Sequence, residues 1–270
     1  MAISQVLVNA AVSYRLESAE WLPTLALIDA LQRDKPEVGA ERQQVAGGWM
    51  TYGGPGSPMN HILGMGLQGP VNADDVDRVE DFYRLRHSIC EVVVSPYADM
   101  SLMHELGNRG YRVTEWNSVL TRSILAGERF DIHGVEVEAV TVHEVRLWSE
   151  VLAGAWADVA AVSAELFAPG ALAPNAICFL ARLDGQPAGG AAGSAFADAG
   201  IAPFYGAATL PEYRNRGVQN ALFQARLRAA AEAGCDLAVV CTQPGSVSQR
   251  NAERNGFRVA YTKVAMQRAF

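Results

Sequence analysis

The chain has 270 residues, half of them hydrophobic and 19% charged, with a net charge of −7; this suits one large domain, or two of about 130 residues that each bury a core. No apolar run approaches the ~20 residues needed to cross a bilayer, and the start Met-Ala-Ile-Ser-Gln lacks the basic flank and apolar stretch of a secretory leader. Cys90, Cys178, Cys235 and Cys241 are scattered rather than spaced as metal pairs, which implies free thiols in a reducing cytoplasm and no metal.

In chain order, Leu16 to Arg33 has helical periodicity and is followed by a polar stretch, Asp34 to Glu41. Gly47 to Tyr52 and His61 to Leu67 read as strands on either side of a Gly-Gly-Pro-Gly-Ser-Pro turn. Asp75 to Arg86 is predicted as a helix, Cys90 to Val94 as a strand, Asp99 to Asn108 as a helix and Tyr111 to Arg122 as a strand. Between Leu125 and Phe130 the pattern breaks at Ala-Gly-Glu-Arg, which sets a first domain over 1–126 and a second over 130–270. Val135 to Val142 then alternates as a strand does, with Glu136 and Glu138 on the face opposite the valines. Helices are predicted over His143 to Ala157 and Val159 to Phe167. Cys178 to Leu183 is a strand ending in the hairpin turn Asp184-Gly185, and Gln186 to Phe196 and Ile201 to Leu210 continue the sheet. Val218 to Ala233 is an amphipathic helix stopping at Gly234. Leu237 to Cys241 is a strand, Ser246 to Asn255 a helix closed by Gly256-Phe257, and Arg258 to Met266 extended. The order predicts an α/β fold with a mixed sheet.

Shifting the sequence by 146 positions superimposes Val93-Val94 on Val239-Val240, Asn108 to Val113 on Arg254 to Val259, and Arg122 on Arg268. A strand, a helix, Gly-aromatic-Arg-Val and a final strand thus occur twice, as in a duplicated unit. With a gap, Asp74 to Arg86 also aligns with Val218 to Arg228. The copies differ where their chemistry would lie. The second carries Arg214-Asn-Arg-Gly217, and the first Gly69-Pro-Val-Asn-Ala-Asp-Asp75, a turn with carboxylates and no base. There Asn72 or Asp74 serves as a helix cap.

The segment Thr209-Leu-Pro-Glu-Tyr213, followed by Arg214-Asn-Arg-Gly217-Val-Gln219 and Asn220, joins a strand to a helix through a basic turn. In that geometry the free N–H groups of the helix's first turn, from Val218, Gln219 and Asn220, attract an anion. Gly217 leaves room for close approach, with Asn215 beside it, and Arg214 and Arg216 offer forked donors to phosphate oxygens. These residues resemble the GNAT superfamily of N-acetyltransferases, whose hallmark is Arg/Gln-x-x-Gly-x-Gly/Ala after a Val-x-Pro-x-Tyr-like stretch. Gln219 stands where the family usually has a small residue. The likeness covers roughly residues 134–270, and the repeat makes residues 1–126 a degenerate GNAT-like half without the cofactor motif.

The resemblance implies acetyl-CoA as co-substrate and direct transfer of its acetyl group to a primary amine of a small molecule or an exposed amino group. It implies that backbone N–H groups of Ala208, Thr209 or Leu210 polarise the thioester carbonyl, and that this strand splays from Leu237 to Cys241 to admit the pantetheine arm. Asn251 would contact that arm. The family's usual tyrosine is Ala252 here, so Ser248 and Tyr205 are the candidates for protonating the thiolate, with Tyr261 a more remote one. All five histidines lie at or before His143, no acid falls within 205–210, and Glu212 is expected to be exposed, leaving a base relayed by water. Trp156 and Phe167 would wall the acceptor pocket, with Asp158 or Glu165 drawing a cation.

Charge is divided unevenly. Residues 201–270 hold nine Lys/Arg against four Asp/Glu, for +5, so the first 200 sum to −12. This fits a polyanionic cofactor at the basic end. No basic stripe with interleaved aromatics speaks for nucleic acid, and neither a membrane partner nor a metal is expected; a homodimer is compatible. The alternatives are a longer acyl-CoA donor, or a CoA-binding regulatory module without turnover.

Overall fold

The computed structural model describes residues 9–157 and 163–270, and the chain divides into two compact units. The first holds the described residues up to Val119, with Thr242–Pro244 and Val259–Phe270; the second holds Leu120–Cys241 and Gly245–Arg258. Each unit therefore takes its closing strand from the other half of the sequence. The limits 1–126 and 130–270 stand as our proposal for the duplicated segments, not as the borders of the compact units.

Helix α1 (Ala10–Asp34) begins where the Asn9 side chain accepts the Val12 N–H. Strands β1 (Glu41–Val45) and β2 (Gly48–Tyr52) form an antiparallel hairpin. β1 falls in and beyond the stretch read as a polar linker, because Glu41 to Gln44 form a sheet edge and only Val45 is buried. β3 (His61–Leu63) is shorter than expected: Gly64 and Gly66 adopt φ of +73° and +77° and turn the chain out of the strand. There follow α2 (Ala73–Arg84), β4 (Cys90–Val94), α3 (Met100–Asn108) and β5 (Arg112–Ser123). Next come β6 (Glu136–Ala139), α4 (Val145–Trp156), the short α5 (Ala168–Ala171), β7 (Phe179–Leu183), β8 (Gln186–Gly193) and β9 (Ile201–Thr209). The chain closes with α6 (Val218–Glu232), β10 (Leu237–Thr242), α7 (Val247–Arg254) and β11 (Arg258–Arg268). Of the helix expected over Val159 to Phe167, residues 158–162 lie outside the described residues, and the remainder holds a 3-10 turn at Ala164–Leu166. No helix among the described residues is long and apolar enough to cross a membrane.

In the first unit the strands run β1-β2-β3-β4-β11-β5, with β3 parallel to β4 and β11 antiparallel to β4. Its core packs Val76, Val79 and Phe82 of α2 and Leu102 and Leu106 of α3 on Val92, Val94 and Met266. On α1, the buried Glu17 accepts from Lys263 Nζ at 3.0 Å and from the Tyr261 hydroxyl at 2.7 Å. That bond holds Tyr261 within the first unit. In the second unit the end of β5, from Leu120, lies beside β10, followed by β9, β8, β7 and β6. The β9–β10 pair is parallel and β6 to β9 are antiparallel. The Asp184-Gly185 turn takes φ of +51° and +73°, as a tight two-residue hairpin requires. The series β3-α2-β4-α3-β5 recurs as β9-α6-β10-α7-β11, matching the duplication.

β11 lies between β4 and β5, so a chain ending at Arg258 leaves the first unit's sheet open at its centre. Such a truncation should abolish cooperative urea unfolding of that unit; an unchanged midpoint would contradict the strand assignment. A second expectation concerns His61, whose Nε2 is sequestered without a partner although part of the residue reaches the surface. Burial pushes its pKa down to about 4, with Glu20 raising it and Lys263 lowering it further. The unfolded chain binds this proton below about pH 6.5 and the folded one does not. Stability should therefore fall by on the order of 1–2 kcal/mol as pH drops from 6.5 towards 4. His61→Gln should flatten that part of the urea midpoint against pH.

Candidate active site

The turn between β9 and α6 leaves a helix end uncovered. Gly217 is the N-cap of α6 at φ +84°, ψ −4°, and no side chain caps the helix. The first intrahelical bond is Ala221 N–H to Gly217 O, so the amides of Val218, Gln219 and Asn220 have no helical acceptor and face a cleft that all three residues line. Two positive-φ residues, Asn215 at +62° and Gly217, bend the turn into a concavity suited to an anion. The equivalent end in the first unit is closed. Asn72 accepts from Asp75 N–H while the Asp75 carboxylate accepts from Asn72 N–H, and Asp74 adds a second negative charge to that first turn.

The cleft, of about 740 Å³, runs from this turn into a parting between two strands. β9 and β10 pair from Ile201↔Leu237 to Phe204↔Val240 and no further. Beyond that point β9 bulges: its register with β8 passes from Ala192↔Tyr205 to Gly190↔Ala208, with Gly206 at φ +53°. Leu210 N–H donates to Ala188 O at 3.0 Å. Since successive strand N–H groups point to opposite edges, Ala208 also faces β8, and Thr209 N–H faces the parting. Of the three amides expected to polarise a carbonyl, Thr209 is the one directed into the slot. Leu210, bonded to Ala188, is not available for it.

Residues 143–257 match the Acetyltransferase (GNAT) family. That segment is a GNAT domain. A GCN5-related N-acetyltransferase from Kribbella flavida is 20% identical, with 97% of this chain and 96% of that chain covered and a TM-score of 0.66. A tandem GNAT protein from the clavulanic acid biosynthesis pathway is 14% identical, with 97% of each chain covered and a TM-score of 0.61. A GCN5-related N-acetyltransferase from Sphaerobacter thermophilus is 14% identical over 77% of this chain and 71% of that chain, at a TM-score of 0.54. No curated protein matches the chain by sequence. The fold is α/β and of the tandem GNAT kind, as the repeat implied.

Within the GNAT domain the basic side chains are held back from the helix end. Arg214 donates through Nε to Thr209 O and through Nη2 to Ala155 O, both at 3.4 Å, long bonds at the end of β9 and near the C-terminus of α4. Arg216 pairs with Asp184 at 3.2 Å, both side chains well exposed, a contact worth little and easily exchanged for a phosphate. Gln219, unusual for the family, turns its amide onto the Thr209 hydroxyl at 2.9 Å. Its bulk is thus fixed against the strand end.

Tyr205, Ser248 and Asn251 line the cleft. Tyr205 shares its hydroxyl with Ser194 at 2.7 Å, and burial pushes its pKa up to about 12. Asn251 accepts from Arg254 at 3.2 Å. Ala252 is fully buried in the core with Phe223 and Phe257, so the position that carries a tyrosine in many relatives points away from the cleft. Trp156 lines the cleft, with its Nε1 buried and unpartnered. Phe167 instead stacks edge-on against the buried Trp148, 6.3 Å between centroids, and Glu165 is exposed and outside the lining. Asp158 lies outside the described residues. Sequence reasoning missed Tyr213, Phe223, Arg226, Cys241 and Arg254, which also line the cleft. The described lining contains three arginines (214, 226 and 254) and no carboxylate or histidine.

A Cβ built on Gly217 meets no atom within 4 Å, so backbone conformation, not packing, demands glycine there. Gly217→Val should cost about 1–2 kcal/mol of stability. Calorimetry should show at least a tenfold loss of coenzyme A affinity in the folded variant, and unaltered affinity would remove the site.

Proposed function

We propose that this chain is an N-acyltransferase that moves the acetyl group of acetyl-CoA to a primary amine. The observation that carries this reading is the uncapped N-terminus of α6, opening directly into the parting between β9 and β10. Val218, Gln219 and Asn220 amides hold the diphosphate together with Arg214 and with Arg216, the latter swung from its exposed pair with Asp184. Asn215 shapes the turn and Asn251 contacts the arm. Acetyl-CoA supplies an activated acyl carbon. The amine nitrogen bonds to it, the carbon–sulfur bond breaks, and a proton from the amine ends on the thiolate. An amide of β9 on the edge that faces the parting, Thr209 or one nearer Phe204, stabilises the carbonyl oxygen as it gains charge.

Ser248 is the better candidate for delivering the thiol proton, since the Tyr205 hydroxyl is already engaged by the Ser194 hydroxyl and the Gly193 carbonyl. With no carboxylate or imidazole in the described lining, the amine loses its proton through water or arrives neutral. The four cysteines are free, which fits a reducing compartment. A second reading, a CoA-binding module without turnover, draws on the same missing base and on buried Ala252.

Thiol release from acetyl-CoA across a panel of amines, run beside calorimetric titration of coenzyme A, decides between them. The proposal expects binding with amine-dependent release, and Ser248→Ala should lower kcat by about tenfold or more without altering coenzyme A affinity. Binding with no release under any acceptor favours the module, and no binding overturns both.

A further inference from the structure

One side chain on the buried face of α6 is chemically out of place. Arg226 lies between Leu222, Phe223, Ala225 and Leu227, all buried, and is itself 1% exposed. Its guanidinium carbon is 4.8 Å from the Phe204 ring centre and 4.7 Å from that of Phe223. Nε donates to Leu222 O at 3.1 Å and Nη1 to Ala192 O at 3.2 Å. Nη2 is buried with no partner. Both acceptors are neutral, and burial pulls the guanidinium down to about 9, with only the Cys178 thiol acting against it. A buried charge without a counter-ion is costly, and the aromatic faces offset only part of that cost.

Arg226 lines the cleft, so the missing partner has a route in. Phe204, which the guanidinium overlies, belongs to the last β9–β10 pair. Arg226 therefore marks the closed end of the slot, roughly 13 Å along α6 from Gly217 at 1.5 Å per residue. A thioester anchored by its diphosphate at Gly217 and threaded between the strands points its acyl end at this guanidinium. Arg226 and Phe204 share the face of β9 that carries α6, whereas Tyr205 packs with Trp148 and Leu152 of α4. What reaches Arg226 thus lies along the helix that holds the cofactor.

We propose that the acyl group carries a terminal carboxylate, as a malonyl or succinyl thioester does, and that Arg226 Nη2 binds it. The inference rests on the cofactor reading above and adds to the same site a dicarboxylic donor, preferred over acetyl. Transfer forms the amide bond at the thioester carbon, breaks the carbon–sulfur bond and leaves the distal carboxylate unchanged, so the product is an amide bearing a free acid.

Calorimetry with coenzyme A, acetyl-CoA and succinyl-CoA on the whole protein tests this. Succinyl-CoA, or malonyl-CoA run beside it, should bind about 10- to 100-fold more tightly than acetyl-CoA, the range of a charge-assisted hydrogen bond. Arg226→Gln should level the donors while free coenzyme A binds as before, and Arg226→Lys should recover part of the preference. Equal affinity of the wild-type protein for all acyl donors overturns the proposal, even if Arg226→Gln fails to fold, and leaves the cofactor reading intact. A preference that survives in folded Arg226→Gln overturns it too. So does an Arg226-dependent affinity for carboxylate-bearing amines at saturating acetyl-CoA, which would assign the guanidinium to the acceptor. Failure of every coenzyme A species to bind removes the cofactor reading and this inference together.

Discussion

An α-helix that starts with unsatisfied amides must find an acceptor, and α6 does not supply one from its own side chains. Its N-cap is a glycine in the left-handed region, a conformation that puts successive N–H groups on one concave side and offers no side-chain oxygen. The end of β9 is arranged around that deficit. The bulge at Gly206 and the loss of pairing beyond Phe204 and Val240 open a slot that leads to the helix end. Gln219 holds Thr209 in place at the slot's mouth. Remove the open helix end, and the cleft is only a gap between two strands.

The first unit shows the same frame with that deficit cancelled. Asn72 and Asp75 satisfy each other's backbone amides, and the carboxylates would repel a second anion. Its polar chemistry lies elsewhere, in the buried group of Glu17, Lys263 and Tyr261. A buried ion pair of this kind adds little over a hydrophobic substitute, but losing one partner strands the other. It therefore ties α1 to β11 specifically. Of the two like frames, one has its helix end capped and the other has it open.

Much of this was legible locally. β4 was found to the residue because Cys90 to Val94 is a short run rich in β-branched residues between polar turns. The Asp184-Gly185 hairpin and the start of α6 follow from turn chemistry written in adjacent residues. What failed was decided at a distance. β1 is too polar to announce itself, and forms because β2 offers it a partner. β3 stops early at positive-φ glycines that sequence alone cannot distinguish from permissive ones. Phe167, expected from its sequence position to wall the pocket, packs on Trp148. For Arg226 a signal did exist, since a charged residue interrupts the apolar stripe of α6 between Leu222 and Ala230. Knowing that it also lines the cleft required the packing of Phe204 and Phe223 around it.

The placement of β11 also affects how the protein is made. The chain from β4 to β5 leaves the ribosome before the strand that separates them, which is synthesised about 145 residues later. At about 5–20 residues per second, the nascent first half waits on the order of ten to thirty seconds with two strand edges unmatched. Its completion waits on the synthesis of β11, so the older of the two units is the later one to become native.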